Sequence, residues 1–263
     1  MRDMLGRLAR GEISLDEAEK ALRLLAVEEV GDLARIDTGR EMRTGIPEVI
    51  IAEGKSPEAV AEIASKVLAG TGRVVVSRIG EQHLEPLERV ASDPASYIAD
   101  RAERTMVIRR KGFEVGATGG KVGVISAGTS DIPVAEEARV MASEMGCEVL
   151  TAYDVGVAGV HRALPAVKDM MANDVDALVV VAGREGALPT LLAGMVDIPV
   201  IAVPTSFGYG MGAGGVAALM AMLQSCSLGL AVVNIDGGIP AGAMAAMIAN
   251  RAARFRAGDQ GPS

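Results

Sequence analysis

The sequence predicts an α/β fold, in which a three-layer, doubly wound parallel sheet follows a smaller α+β N-terminal domain. From Lys121 onward, short apolar runs recur at intervals of about 25 residues, and a glycine-rich loop and a helical pattern follow each run. Strands that alternate with helices form a parallel sheet with helices on both faces. The predicted strands are 122–126, 148–152, 177–182, 200–203 and 231–235. The predicted domains are 1–116 and 117–255, followed by a tail at 256–263.

The N-terminal part contains signals for helix starts and short apolar runs. Ser14 and Glu17 have the spacing of a capping box and predict an amphipathic helix over 14–27. Ser56 before Pro57 is typical of a helix start, and the apolar spacing behind them predicts a helix that stops at Gly70. The polar segment 37–47 is predicted to be a loop available for ligand contacts. The remaining predictions are strands over 48–52, 73–79 and 105–109 and a helix over 97–103.

The composition of the 263-residue chain excludes several classes of protein. There are 26 Lys and Arg against 34 Asp and Glu, a net charge of −8, so no general nucleic-acid-binding surface is expected. Aromatic residues make up 2%, too few for base-stacking platforms. Two cysteines cannot form a disulfide framework in a chain of this length, and no secretory signal is recognised at the N-terminus. We therefore expect a cytoplasmic protein.

One uncharged apolar stretch, 215–235, has the length of a membrane span. Gln224, Ser225 and Asn234 interrupt this stretch, and Gly229 divides it into a helix-like half and a strand-like half. A buried helix followed by a buried parallel strand has the same hydropathy. We predict that arrangement, and no association with a membrane.

The carboxyl ends of parallel strands meet at one edge of the sheet, and ligands bind there. The first loop at this edge contains Gly128, Thr129, Ser130 and Asp131 at the start of a helix. Backbone amides at such a start bind phosphate, and hydroxyl groups add hydrogen bonds. The same residues also suit an ordinary helix cap, so the loop alone leaves both interpretations open.

A dinucleotide-binding fingerprint is present in a later loop. Gly210, Gly212 and Gly215 have its spacing, and Asp236 follows the next strand, where an acid that binds ribose would lie. Residues 204–209 separate the preceding strand from the first glycine, whereas the fingerprint needs that glycine at the turn from strand to helix. A glycine-rich loop without this function is the alternative interpretation.

Further reactive side chains lie near the predicted edge. Cys226 lies on the apolar stripe of a helix predicted to begin near Gly215, so it is either a buried, inert cysteine or a nucleophile at the helix end. Glu185 follows a very apolar strand, where desolvation would raise its pKa toward that of a base. His161 and Arg162 are either contacts to phosphate or carboxylate, or a surface pair at a helix start.

Residues 121–250 resemble the aminoimidazole ribonucleotide carboxylase superfamily of PurE-type proteins. The resemblance rests on loop motifs at 128–131 (Gly-Thr-Ser-Asp), 159–162 (Gly-Val-His-Arg) and 238–242 (Gly-Ile-Pro-Ala-Gly). It implies a PurE-like, flavodoxin-like sheet with phosphate-binding loops. The catalytic histidine of the purine enzymes lies in an Ala-His-Leu-Pro stretch, and the corresponding segment 185–189, Glu-Gly-Ala-Leu-Pro, has no histidine.

The whole chain is more similar to the pyridinium-3,5-biscarboxylic acid mononucleotide synthase family, the LarB-type proteins that begin biosynthesis of the nickel-pincer nucleotide cofactor. The similarity covers both halves of the chain and rests on Asp37, Arg40, Arg43, Gly45, 47–50, Gly54, Lys55, 128–133, 204–206, 208–210, Ser225, Cys226 and 233–236. It implies that the substrate is nicotinic acid adenine dinucleotide, whose pyridinium ring is carboxylated and whose phosphoanhydride is cleaved with release of AMP. It also implies that Cys226 adds covalently to the ring.

The implied chemistry explains the need for a cysteine. A pyridinium ring is too electron-poor to attack CO₂, but a thiolate added at ring carbon 4 leaves an enamine that is nucleophilic at carbon 5. Glu185 is the first candidate for the base that removes the proton from that carbon, and Asp131 is the second. CO₂ or bicarbonate is the expected co-substrate. Mg²⁺ carried by the substrate is expected to assist the cleavage, and no protein metal site is expected.

The similarity also implies binding residues and an oligomer. In the α/β domain the expected binding residues are Gly128, Thr129, His161, Arg162, Gly183, Thr205, Ser206, Asp236 and Gly238, with Ser130 holding phosphate. Arg40, Arg43 and Lys55 of the N-terminal part are expected to reach anionic groups of the substrate. A homo-oligomer, expected to be an octamer, would bury the methionine-rich segment 211–223.

Two other functions agree with the same residues. Purine-ring carboxylation would use aminoimidazole ribonucleotide and would not depend on Cys226. A non-catalytic nucleotide sensor would show a ligand-induced rise in melting temperature without formation of AMP.

Overall fold

The computed structural model divides the chain into two units, Met1–Phe113 and Glu114–Ser263. It describes residues 2–15, 17, 28–30, 34–37, 39–208 and 210–258. The boundary predicted from the sequence lies after residue 116. The last helix continues to Gly258, beyond the start of the tail predicted at 256.

The first unit combines helices with a small mixed sheet. Among its described residues, the helices are α1 (Arg2–Ala9), α2 (Arg40–Thr44), α3 (Pro57–Thr71) and α4 (Glu81–Val90). The strands are β1 (Glu28–Val30), β2 (Ala34–Ile36), β3 (Val49–Ile51), β4 (Arg73–Ser77), β5 (Tyr97–Ala102) and β6 (Thr105–Arg110). β1 pairs with β2, and the other strands have the order β3-β4-β6-β5, in which β3 and β4 are parallel and the other pairs antiparallel.

Helix α3 has the start and the apolar face that the sequence predicts. The Ser56 hydroxyl accepts a hydrogen bond from the Ala59 amide at 3.3 Å, and Pro57 is the first helical residue. The helix ends one residue after the predicted stop, and Gly72 caps it with a φ of 81°. Its buried residues pack against strand residues of the core, and they are Val60, Ile63, Ala64, Val67 and Leu68.

Two other predictions in this unit have different outcomes. The capping box is confirmed, because the Ser14 amide donates to Glu17 Oε2 at 2.8 Å and the Glu17 amide donates to Ser14 Oγ at 3.1 Å. Most of the helix predicted over 14–27 lies outside the described residues.

The helix predicted over 97–103 is wrong, because this segment forms β5 in an antiparallel hairpin with β6. Glu103, with a φ of 50°, makes the two-residue turn that closes the hairpin, and strand pairing overrides the local preference.

The second unit is the predicted three-layer α/β structure. Its parallel sheet has the order β11-β10-β9-β7-β8, with β7 (Lys121–Ser126), β8 (Glu148–Ala152), β9 (Ala177–Ala182), β10 (Val200–Pro204) and β11 (Leu230–Val232). The helices among the described residues are α5 (Ile132–Glu144), α6 (Val160–Ala172), α7 (Ala187–Ala193), α8 (Val216–Leu223) and α9 (Gly238–Gly258). β9 and β10 are buried along their whole length, as expected for central strands covered on both faces.

The apolar stretch at 215–235 forms a helix and a strand in the order that the sequence predicts, but the predicted burial of the helix is wrong, because Val216, Met220 and Leu223 are exposed. Val216–Leu223 is helical, and Leu230–Val232 pairs in parallel with β10 at the edge of the sheet, where it is half-buried rather than buried. Within the described part of the chain, no helix combines the length and the apolarity required to cross a membrane.

Candidate active site

A cavity of about 760 Å³ lies at the carboxyl ends of the parallel strands, the edge that the sequence predicts for ligands. The loops that follow β7, β8, β9 and β10 each contribute to its wall. Among the predicted site residues, it brings together Gly128, Thr129, Ser130, Asp131, Arg162, Gly183 and Glu185.

The loop after β7 is both a helix cap and a possible anion site. Thr129–Asp131 form a 3-10 turn that leads directly into α5. The Gly128 amide donates to Asp131 Oδ2 at 2.9 Å, so Asp131 supplies the cap. The amides of Thr129 and Ser130 are the first of the helical segment, and such amides have no acceptor within a helix. The two interpretations of this loop are therefore compatible, because capping uses Gly128 and Asp131 and leaves these amides for an anion.

Asp131 is a buried carboxylate in the cavity wall. It is 5% exposed, and its Oδ1 accepts a hydrogen bond from Thr205 Oγ1 at 2.6 Å. The amides of Gly128 and Gly183 also donate to it. Burial raises the pKa of Asp131 above the ordinary aspartate range, the charge of Asp236 adds to this effect, and the three donors oppose it. The raised pKa makes this carboxylate, when ionised, a stronger base than an ordinary aspartate.

The environment of the Glu185 side chain differs from the buried one that the sequence predicts. Its side chain is exposed at the cavity, so the expected desolvation of this carboxylate is wrong. The loop 183–186, which follows β9, has left-handed backbone at Arg184 and Gly186, with φ values of 51° and 62°. The geometry therefore favours Asp131 over Glu185 as the proton acceptor, which reverses the order given by the sequence.

The loop after β8 and the start of α6 together supply a charged pair to the cavity. Arg162 Nη1 donates to the backbone oxygen of Asp154 at 2.6 Å and to its Oδ2 at 2.8 Å. Asp154 has a φ of 57°, and its amide donates to Ser126 Oγ at 3.2 Å. Left-handed backbone at residues other than glycine clusters at functional sites, and both Asp154 and Arg184 line this cavity.

Asp154, Arg184 and Phe207 also line the cavity but were not predicted as site residues. Asp154 had a usable signal, because it is the first charged residue after β8. Arg184 and Phe207 had weaker signals, since their places in the wall depend on how the loops after β9 and β10 turn.

Several predicted binding residues are not among those that line the cavity. Thr205 is completely buried beneath it, bonded to Asp131. Asp236 Oδ1 accepts from the Ser206 amide at 2.9 Å, so this acid holds a neighbouring loop. His161 is exposed beside Arg162. Gly238 packs against α5, where an added Cβ would lie 2.2 Å from the backbone oxygen of Val134.

The glycines of the dinucleotide fingerprint do not form the ligand loop. Gly210–Gly215 make a 3-10 turn before α8 and are absent from the cavity wall, whereas the glycine loop at 128–131 lies in it. The alternative interpretation, a glycine-rich loop without the fingerprint's function, agrees with this geometry.

Cys226 lies outside the helix on which the sequence placed it. α8 ends at Leu223, and the Cys226 side chain is exposed, so the prediction of a helical apolar stripe and the buried, inert interpretation are both wrong. The loop around it is tied to α7, because Thr190 Oγ1 donates to Ser225 Oγ at 3.0 Å and Ser227 Oγ donates to the Thr190 oxygen at 2.8 Å. The first residues of α7 line the cavity, but Cys226 itself does not.

The three predicted cations of the first unit have contacts within that unit. Arg43 pairs with Asp37, and Arg40 Nη1 lies 3.6 Å from Glu48 Oε2. Burial raises the pKa of Glu48. Lys55 Nζ donates to the backbone oxygen of Ile51 at 2.7 Å.

The described residues contain no group of three or more His, Cys, Asp or Glu that could hold a metal ion. Within the cavity, Asp131 is bonded to three donors and Asp154 to Arg162, so these carboxylates do not form an open oxygen cage.

Both units of the chain match known protein families. Residues 27–110 match the LarB/PurE-like N-terminal domain, and residues 121–256 match the AIR carboxylase domain. An uncharacterized protein of Methanocaldococcus jannaschii is 43% identical over 256 residues, which cover 95% of this chain and 96% of the relative. The N5-carboxyaminoimidazole ribonucleotide mutase of the same organism is 32% identical over 117 residues, 44% of this chain and 69% of the mutase.

Proposed function

The chain belongs to the AIR carboxylase family, in the form that carries a LarB/PurE-like N-terminal domain, and from this membership we propose that it acts on nicotinic acid adenine dinucleotide. In this proposal it carboxylates the pyridinium ring and cleaves the phosphoanhydride, giving pyridinium-3,5-biscarboxylic acid mononucleotide and AMP. This would be the first step of nickel-pincer nucleotide biosynthesis. The observation that carries the proposal is an exposed Cys226, accessible as a nucleophile, in a loop that is tied to α7.

The proposed carboxylation is balanced without an oxidant or a reductant. The Cys226 thiolate forms a bond to ring carbon 4, and an electron pair moves to the ring nitrogen, leaving a neutral enamine. Carbon 5 then bonds to CO₂, and the nitrogen becomes positive again. Asp131 accepts the proton from carbon 5, which restores the enamine. Loss of the thiolate from carbon 4 restores the aromatic pyridinium ring.

The loop after β7 is the proposed phosphate site. Thr129, Ser130 and Arg162 all line the cavity, so the amides of Thr129 and Ser130, the Ser130 hydroxyl and the Arg162 guanidinium are the proposed phosphate donors. Arg162 keeps further guanidinium donors besides the Nη1 that binds Asp154. Water attacks the phosphoanhydride and AMP leaves, and Mg²⁺ carried on the phosphate oxygens would reduce their charge during this step.

Mass spectrometry of the purified chain with nicotinic acid adenine dinucleotide, bicarbonate and Mg²⁺ tests the proposal. We expect AMP together with a mononucleotide that has gained one carboxylate, and loss of both in Cys226→Ala. Cys147→Ala is the matched control, because Cys147 is buried, donates to Asn250 Oδ1 at 3.1 Å and has a pKa raised to about 11 by burial. Binding without any product from the unmodified chain would overturn the proposal and favour a nucleotide sensor.

Purine-ring carboxylation is the second candidate, favoured by the similarity to the mutase from Methanocaldococcus jannaschii. It predicts turnover of aminoimidazole ribonucleotide, or of its N5-carboxy form, in both cysteine variants. Segment 185–189 has no histidine in the place where the purine enzymes carry their catalytic one. Product from a purine substrate in Cys226→Ala would establish this candidate instead.

A further inference from the structure

A buried hydroxyl lies beneath the proposed proton acceptor. Thr205 follows β10 directly and is 0% exposed. Its Oγ1 donates to Asp131 Oδ1 at 2.6 Å, and its amide donates to the Ala182 oxygen at 3.2 Å. Thr205 therefore joins the ends of β9 and β10 to a carboxylate that belongs to the β7 loop.

Gly183, the residue that follows β9, closes the same arrangement. A Cβ at this position would lie 2.4 Å from the Phe207 oxygen and 2.6 Å from Thr205 Oγ1. No side chain therefore fits, and the backbone approaches closely enough for the Gly183 amide to donate to Asp131. The packing leaves little space in which the Thr205 hydroxyl or the carboxylate could rotate.

We infer that Thr205 is a positioning residue for Asp131, an inference that rests on the proposed function and deepens it. An ionised carboxylate accepts about four hydrogen bonds. Donors from Thr205, Gly128 and Gly183 occupy three of these places, and Asp131 lines the cavity. The remaining lone pair is directed to the substrate, and the hydroxyl of Thr205 fixes that direction without contacting the substrate.

Variants at Thr205 separate this role from simple packing. Thr205→Val keeps the shape and removes the hydroxyl, whereas Thr205→Ser keeps the hydroxyl and removes a methyl group. Thr205→Ala compared with Thr205→Ser gives the same contrast if the valine variant does not fold. Thr105→Val is the control, since Thr105 is a buried threonine of β6 whose Oγ1 has no hydrogen-bond partner among the described residues.

We expect Thr205→Val to lower kcat by about tenfold or more while KM for nicotinic acid adenine dinucleotide changes less than about threefold. Thr205→Ser should restore kcat to within about threefold of the unmodified chain, because its hydroxyl still donates to Asp131. The acid limb of kcat/KM should also move to higher pH in Thr205→Val, since one donor to the ionised form is lost. Asp236 is the ionisable neighbour that acts on Asp131 from the β11 side.

The outcomes distinguish the inference from the function on which it rests. An unmodified chain that forms no product overturns the proposed function. An active chain with equal kcat in the valine and serine variants, both with unchanged melting temperatures, overturns the positioning role alone. An equal loss of kcat in Thr205→Val and Thr205→Ser would show that the hydroxyl alone does not restore activity, which also contradicts the inference.

Discussion

At the residue scale, the cavity combines a buried acid with charged groups that remain accessible. Asp131 is held by donors from the ends of three strands, whereas Arg162 lies at the surface of the cavity and binds Asp154. Burial raises the free energy of the charged form of an acid, and hydrogen bonds to that form offset part of the increase. In the proposed function, the chemical step and substrate binding therefore use different residues of one cavity wall.

The stability of the fold should depend on pH through Asp131. Because burial raises the folded-state pKa above the ordinary 3.8, this carboxyl stabilises the fold below pH 3.8, and that contribution is lost as pH rises through the folded value. As the pH rises from 3.8 through the folded-state pKa, the free energy of unfolding in urea should therefore fall for the unmodified chain relative to Asp131→Asn. The expected fall is about 1.4 kcal/mol for each unit by which the pKa is raised. A constant difference between the two chains from pH 3.5 to pH 7 would contradict the raised pKa.

Replacement of Arg162 should weaken substrate binding more than chemistry. A charged hydrogen bond to phosphate contributes about 1.5–3 kcal/mol, so Arg162→Gln should raise KM for nicotinic acid adenine dinucleotide by about tenfold or more. The kcat value should change much less. Lys168→Gln, an exposed change on the same helix, is the control. Steady-state kinetics that show a lower kcat with unchanged KM would place Arg162 in the chemical step instead.

At the element scale, α9 packs on α5 through small residues. An added Cβ at Gly242 would lie 2.3 Å from the Ala138 oxygen, which is backbone and cannot move without shifting α5. Alanines surround this contact on α9, where Ala241, Ala245, Ala246 and Ala249 are buried. The motif at 238–242, which carried part of the family resemblance, therefore has a packing role in this structure.

Gly242→Ala should destabilise the second unit. Forcing the two helices apart costs about 1–3 kcal/mol, more than the gain of up to about 1 kcal/mol that alanine gives in a helix. Gly258→Ala on the same helix has open space around it and should be neutral or slightly stabilising. Thermal unfolding of both variants measures the difference, and an equal melting temperature would show that α5 and α9 can separate freely.

At the scale of the whole molecule, one segment exposes many large apolar side chains. Within 207–228, Met220 is 62% exposed, Leu223 65% and Leu228 90%, and Phe207, Met211 and Val216 are exposed as well. Exposed apolar patches of this kind mark protein interfaces. We propose that copies of this chain bury the segment against each other, in agreement with the oligomer implied by the family resemblance.

A charged residue in this segment should reduce the assembly. Met220→Lys would place a charge in a buried interface, so light scattering after gel filtration should show a smaller mass than for the unmodified chain. Ile98→Lys is the control, because Ile98 is exposed on β5 of the other unit. A monomeric mass for the unmodified chain would contradict the proposed assembly.

The position of Cys226 gives the assembly a functional consequence. Cys226 is exposed between Leu223 and Leu228 and does not line the cavity of its own chain. We therefore expect that it serves the cavity of a neighbouring copy. Co-expressed Cys226→Ala and Asp131→Asn chains should then regain part of the activity that each variant lacks, whereas no recovery would assign both residues to the same chain.

Much of the second unit could be predicted because the signal is local. Buried parallel strands are continuous apolar runs, and the first glycine loop directly follows one of them, so strand ends and the residues at 128–131 were found together. The helix predicted at 97–103 failed because the pairing of β5 depends on β6 and on the turn at Glu103, not on the segment itself.

The sequence alone determined the fold class, the edge of the sheet that carries the cavity and the family to which the chain belongs. These can be determined because apolar periodicity and loop motifs are patterns of residues that lie close together in the sequence. Only the tertiary structure decided which acid is buried, since the burial of Asp131 depends on Thr205 and Gly183 from other strands. It likewise decided that Glu185 and Cys226 are exposed. The ionisation of an acid and the access to a thiol depend on neighbours distant in the chain, which no local pattern specifies.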